Sequence, residues 1–153
     1  MSELLLASVE ADVTHALAED LGLLPSPASG GGAGGEGANA ALRAPTAIND
    51  LTARLIPASQ AAHARVITRE TAVIAGRPWF DACFKALDPA CVIDWKVAEG
   101  DAVAPGDTLV EISGNARALL TAERPALNFL QTLSAVATAT RPYVEAVRGT
   151  HAA

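Results

Sequence analysis

The residues most able to do chemistry lie near the C-terminal end. Arg124, Asn128 and Gln131 stand at i, i+4 and i+7, spacing that on a helix puts them on one polar ridge. Leu120, Leu127, Leu130 and Leu133 form an apolar stripe beside it. A guanidinium next to such a seam is costly to desolvate unless it meets a carboxylate or phosphate, which it can hold by two parallel hydrogen bonds. The plainer alternative is that Arg124 pairs with Glu123, Glu111 or another internal carboxylate, or extends its charge into solvent. Spacing alone does not choose between them.

Other ionisable groups say less. Arg65 and Arg69, four apart, share a face if both lie on one strand. Arg117 and Arg141 are weak candidates for anion contact. His15 falls on the polar side of a helix and His63 at a strand edge, both expected to be solvated, and Glu19 and Asp20 decorate a helix end. Cys83 and Cys91 have no second pair and no nearby His, so they do not have the spacing of a zinc site. They read as core thiols of a reducing compartment.

The elements that must position these groups follow from periodicity. Val9, Val13, Ala16, Leu17 and Leu21 recur at three- and four-residue steps, predicting a helix from Ser8 to Leu21 with Ser8 as N-cap and Gly22 as stop. Six of the twelve glycines lie between Gly30 and Gly37, so Pro25 to Pro45 reads as a flexible insert, with too little apolar surface to offset its chain entropy. A phosphate-binding loop is the sharper alternative there, disfavoured because no Lys followed by Ser or Thr succeeds the glycines and no apolar strand precedes them.

Ala62 to Ile74 alternates as one or two strands, with Gly76 at the next turn. Pro78 to Leu87 predicts a helix with Trp79, Cys83 and Leu87 on one face, and Val92 to Val97 a strand. EGDAVAPGDTL is a turn, and LVEIS a strand ending before Gly114. Ala116 to Val147 is rich in Ala and Leu and predicts helix, interrupted near Pro125 and Pro142. The order of elements predicts an α+β domain. The expected divisions are an N-terminal helix over 1–24, the insert over 25–47, the α+β body over 48–132 and a trailing segment over 133–153.

A chain of 153 residues suffices for one domain with a real core. The net charge of -6 and the scatter of eleven Lys and Arg argue against an extended nucleic-acid footprint or a polybasic membrane patch. Glu3, Glu10 and Asp12 flank the first apolar run, unlike a signal peptide, and no run approaches transmembrane length. The expectation is a cytoplasmic protein with a small-molecule partner.

The tract ARALLTAERPALNFLQTLSAVATAT, Ala116 to Thr140, resembles the quinolinate phosphoribosyltransferases, also called carboxylating nicotinate-nucleotide pyrophosphorylases. ALAEDLG, Ala16 to Gly22, NDLTARLIPA, Asn49 to Ala58, ARVITRE, Ala64 to Glu70, and WKVAEGDAVAPGDTL, Trp95 to Leu109, fall in the family's order. Each match is weak alone, but five in order are specific; spread from Ala16 to Thr140, they leave the glycine-rich insert outside.

The resemblance implies the N-terminal domain of a type II phosphoribosyltransferase: a small sheet with helices and a long C-terminal helix, the α/β barrel being absent. It implies transfer of the phosphoribosyl group of phosphoribosyl pyrophosphate to quinolinate, giving nicotinate mononucleotide, carbon dioxide and pyrophosphate in NAD synthesis. It also implies a homodimer with shared active sites, and Mg2+ carried with phosphoribosyl pyrophosphate on ligands outside this chain. The Arg of the family's ALLTAER motif, which reaches quinolinate carboxylates in the neighbouring subunit's site, falls on Arg124.

The sequence departs from the family at Pro125 and Ala135. The TRKTLPG motif and the barrel expected after Gly149 and Thr150 are not in this chain, so the fragment is expected to be inactive alone. Three alternatives remain: a barrel-sandwich carrier module, disfavoured because no Lys follows Lys96; a relative linked to molybdenum uptake; and a non-catalytic dimerisation domain.

Overall fold

Helix α1 in the computed structural model, which describes residues 3–23 and 50–150, runs Glu3–Asp20 and buries Val9, Val13, Leu17 and Ala18. The expected start at Ser8 is overturned. The preceding Leu and Ala residues are strong helix formers and carry the helix back to Glu3, so Ser8 sits inside it, its Oγ donating to the Leu4 carbonyl at 3.0 Å. The expected stop holds. Gly22 adopts φ 65°, the Gly22 amide donates to Glu19 and the Leu23 amide to Ala18, the reciprocal closure that satisfies the last helical carbonyls. The insert expected at 25–47 falls outside the described residues.

Asp50 Oδ1 accepts from the amides of Thr52 and Ala53 and so folds the short 3-10 turn Ala53–Leu55. Strand β1, Ala61–Ile67, pairs antiparallel with β5, Thr108–Asn115, which pairs on its other side with β3, Val92–Trp95. The three form a sheet in the order β1-β5-β3. A second, two-stranded sheet joins β2, Ala72–Val73, to β4, Ala102–Val103. The residues expected to form only a turn therefore also supply β4, and β5 extends through Gly114 instead of ending before it. Both additions come from long-range pairing, which local alternation does not report.

Helix α2, Arg77–Leu87, begins after Gly76 with Pro78 in its first turn, where a missing amide is harmless. It buries Phe80, Cys83 and Phe84 and half-buries Trp79 and Leu87, so the buried face is centred about one residue beyond the expected one. Phe80 packs between Phe84 and Trp95, with ring centroids 5.0 and 5.1 Å away. The Trp79 indole donates to Asp12 Oδ2 at 2.9 Å and ties α2 to α1.

Helix α3 runs Ala116–Val147 without a break. The interruptions expected at Pro125 and Pro142 do not occur, and the expected division between 132 and 133 falls inside this helix. A proline within a helix costs about 3 kcal/mol, and tertiary contacts offset it here. Pro125 is itself buried with Ala118, Leu119, Ala122, Ala126 and Leu130. Ser134 Oγ meets both the amide and the carbonyl of Ala75, at 3.0 and 3.1 Å, and Thr138 Oγ1 accepts the Val73 amide at 2.8 Å. The helix N-terminus is closed by Asn115, whose Oδ1 accepts from the amides of Arg117 and Ala118. Gly76 lets α2 start close beneath α3: its φ is 103°, and a Cβ there would lie 2.8 Å from Leu133 Cδ1.

Candidate functional site

Arg124 lies on the exposed side of α3, its side chain 72% accessible. Its Nε and Nη2 both donate to Oδ1 of Asp20, the last residue of α1. Arg124 thus has an internal carboxylate partner, as the plainer alternative expected, though it is neither Glu123 nor Glu111; Glu111 instead lies 3.3 Å from Lys96, which also pairs with Asp94. These two carboxylates hold the Lys96 ammonium above its usual range, first through the hydrogen bond that Lys96 donates to Asp94.

Between α1 and α3 opens a cleft of about 710 Å³, lined among others by Ala16, Asp20, Arg124, Asn128, Phe129 and Thr132. The expected ridge is only partly realised. Asn128 shares the cleft with Arg124, whereas Gln131 lines a larger groove of about 1150 Å³ between α3 and β1, with Glu123, Leu120 and Leu127. A step of four residues turns one way around the helix and a step of seven slightly the other, and the crest between the two grooves passes between them. The expected leucine stripe divides likewise: Leu130 is buried and Leu120 is exposed.

The other arginines have structural tasks. Arg117 donates from Nε to the Ile56 carbonyl at 2.7 Å and from Nη2 to the Arg54 carbonyl at 3.5 Å, fixing the 3-10 turn against α3. These two bonds occupy the Nε–Nη2 edge of its guanidinium with backbone carbonyls. Arg141 pairs with Glu145 one turn on, at 2.6 Å. Arg65 stands opposite Glu111 in the β1–β5 register, but Arg69 lies beyond the end of β1 at Ile67, so the expected shared strand face is not formed. His15 and His63 are exposed. Cys83 and Cys91 are separate buried thiols; burial pushes the Cys83 thiol up to about 12 and raises that of Cys91.

Sequence reasoning overlooked several organising residues. Glu99 accepts from the amides of Gly76 and Arg77, at 2.7 and 3.1 Å, and so caps α2 from the β3–β4 connection. Arg77 stacks 4.8 Å from the Trp95 ring centroid and donates to the Val97 carbonyl. Asp88 accepts the Asn115 amide at 2.9 Å. Only the Asn115 cap had a local signal, a capping residue directly before the Ala- and Leu-rich run. Among the described residues no group of three His, Cys, Asp or Glu is assembled that could hold a metal ion.

The arrangement offers one chemical capability above the rest: an exposed guanidinium at the mouth of a cleft, in hand with a carboxylate. Comparison with known proteins identifies the family of the fold that carries it. Residues 50–134 match the family model described as quinolinate phosphoribosyl transferase, N-terminal domain. A probable carboxylating nicotinate-nucleotide pyrophosphorylase of Synechocystis is 42% identical over 84 residues, 55% of this chain and 28% of that protein. The human carboxylating nicotinate-nucleotide pyrophosphorylase is 37% identical over 97 residues, 63% of this chain and 32% of that protein. In three dimensions the chain is similar to NadC of Streptococcus pyogenes, with a TM-score of 0.73 and 27% identity over 98% of this chain and 45% of that one. The chain thus spans about a third of the two curated relatives and less than half of the solved structure.

Proposed function

Because the chain belongs to the family of quinolinate phosphoribosyltransferase N-terminal domains, we propose that it serves phosphoribosyl transfer to quinolinate in NAD synthesis by supplying the carboxylate clamp. The observation that carries this reading is the Arg124 side chain: exposed on α3, within the LLTAER run, and bonded to Asp20 along its Nε–Nη2 edge only. Quinolinate is a dicarboxylate, and an arginine fork matches that geometry bidentately. The diphosphate of phosphoribosyl pyrophosphate and its magnesium would be bound by residues outside this chain. Arg124 would then act across a boundary, on a site assembled largely by a second subunit or by further chain, in a homodimer with shared sites.

The same reading puts the protein in a reducing, cytoplasmic setting, supported by two unpaired buried thiols. Among the described residues no helix is long and apolar enough to cross a membrane.

Arg124→Lys keeps the charge and removes the planar fork. In a mixture of this chain with the C-terminal remainder of the Synechocystis relative, the substitution is expected to weaken quinolinate binding by about 2 to 5 kcal/mol, the range for losing one partner of a partly buried charge-assisted contact, with the thermal midpoint nearly unchanged. Calorimetric titration beside a melt decides it. Unchanged affinity in Arg124→Lys would remove the clamp from this function.

A further inference from the structure

We infer that Asp20 is a positioning residue for Arg124, holding the guanidinium by its side edge so that the end of the fork faces a ligand carboxylate; this rests on the clamp reading above. A guanidinium can pair with a carboxylate along its Nε–Nη side or across its two terminal nitrogens. Asp20 Oδ1 takes both donors of the Nε–Nη2 side. Arg124 Nη1 makes no hydrogen bond among the described residues, which leaves the terminal edge for a ligand.

The rigid partner of the pair is Asp20. Leu17 and Ala18 are fully buried one turn or less before it, the helix closes immediately after it at Gly22, and its side chain is 21% accessible against 72% for Arg124. The long arginine stem gains its direction from the aspartate, not the reverse. A carboxylate at a helix C-terminus faces the negative end of the macrodipole, so Asp20 does nothing for α1 by itself, and a neutral amide in its place should leave the helix intact. Asp20 does lower the local positive charge, but it sits on the edge away from the open fork, in a cleft where solvent screens that repulsion. Immobilising a rotamer-rich side chain beforehand is a short-range effect that salt does not erase.

The test uses Asp20→Asn and Asp20→Glu. In the 153-residue chain alone, the Arg124 Nε–Hε resonance is expected to exchange slowly with solvent, and in Asp20→Asn to become that of a freely rotating surface arginine, with the thermal midpoint unchanged. In the complemented mixture, Asp20→Asn is expected to raise the quinolinate KM by about 2- to 10-fold, the range for freeing one side chain before binding, while the KM for phosphoribosyl pyrophosphate and kcat stay near wild type. Asp20→Glu should recover part of the loss. An Arg124 resonance indifferent to Asp20→Asn overturns the inference. A quinolinate KM that is unchanged or lower also overturns it, and a lower one would make Asp20 a competitor of the ligand. If Arg124→Lys weakens quinolinate binding while Asp20→Asn does not, the clamp stands and only the positioning role falls. If wild-type mixture and Arg124→Lys bind alike, the clamp falls first, and the resonance still reports whether Asp20 orders Arg124.

Discussion

Single side chains in this protein divide by what burial does to them. Asp81 is half-buried beneath Trp95, whose indole donates to it at 2.7 Å. Desolvation raises its carboxyl above the usual carboxylate value, with the Trp95 bond, Arg77 and Lys85 pulling the other way. A carboxyl with a raised folded value binds its proton more tightly folded than unfolded, so its contribution makes stability fall as pH rises from just below 4 through the folded value. Asp81→Asn retains an acceptor for Trp95 and is expected to flatten that slope without lowering stability at pH 7; urea midpoints across pH 3.5 to 7 measure it. The two thiols behave oppositely to reactive cysteines. With Cys83 raised to about 12 and Cys91 raised by burial, neither presents a thiolate near neutrality. An aromatic disulfide reagent at pH 7.5 is therefore expected to titrate almost no thiol in the native chain, and both after denaturation. Rapid native labelling of either would contradict the packing around α2.

Helix α3 shows how an element survives its own weak points. Two prolines lie within it, and its hold on the body comes from Ser134, Thr138 and Thr121, whose hydroxyls reach Ala75, Val73 and Asp50. Its entry depends on Asn115, which caps two amides and also donates from Nδ2 to the Ala58 carbonyl at 2.7 Å. Loss of a capping side chain costs about 1 to 2 kcal/mol, and Asn115→Ala also leaves the Ala58 carbonyl without this donor. The substitution is expected to lower unfolding free energy by at least the upper part of that range, read from chemical denaturation. A change within a few tenths would mean that solvent replaces the cap at no cost.

At the scale of the whole fold, the described residues leave two sides open. The sheet presents β1 as an exposed edge, and between β1 and α3 lies the groove that holds Gln131, Leu120 and Leu127. The cleft with Arg124 lies on the other side of the helix crest. On the proposed reading Arg124 supplies only a carboxylate clamp, and transfer also needs groups that hold the diphosphate. The purified 153-residue chain is therefore expected to form no nicotinate mononucleotide from quinolinate and phosphoribosyl pyrophosphate, whereas the mixture with the Synechocystis remainder is expected to form it. Turnover by the chain alone at an ordinary enzymatic rate would show that its own residues complete the site.

Periodicity and breaker residues alone located α1, α2, β1, β3 and β5 and the stop at Gly22, because helix and strand repeats and left-handed glycines are written locally. The LLTAER run singled out Arg124 by its type and setting. The tertiary structure decided three things that no local pattern carries. It chose Asp20, 104 residues away in sequence, as the carboxylate in the guanidinium's hand. It split Gln131 from Arg124 across the helix crest. It kept α3 continuous through Pro125, because burial of the ring and of its small neighbours in the core outweighs the backbone bond that the proline removes.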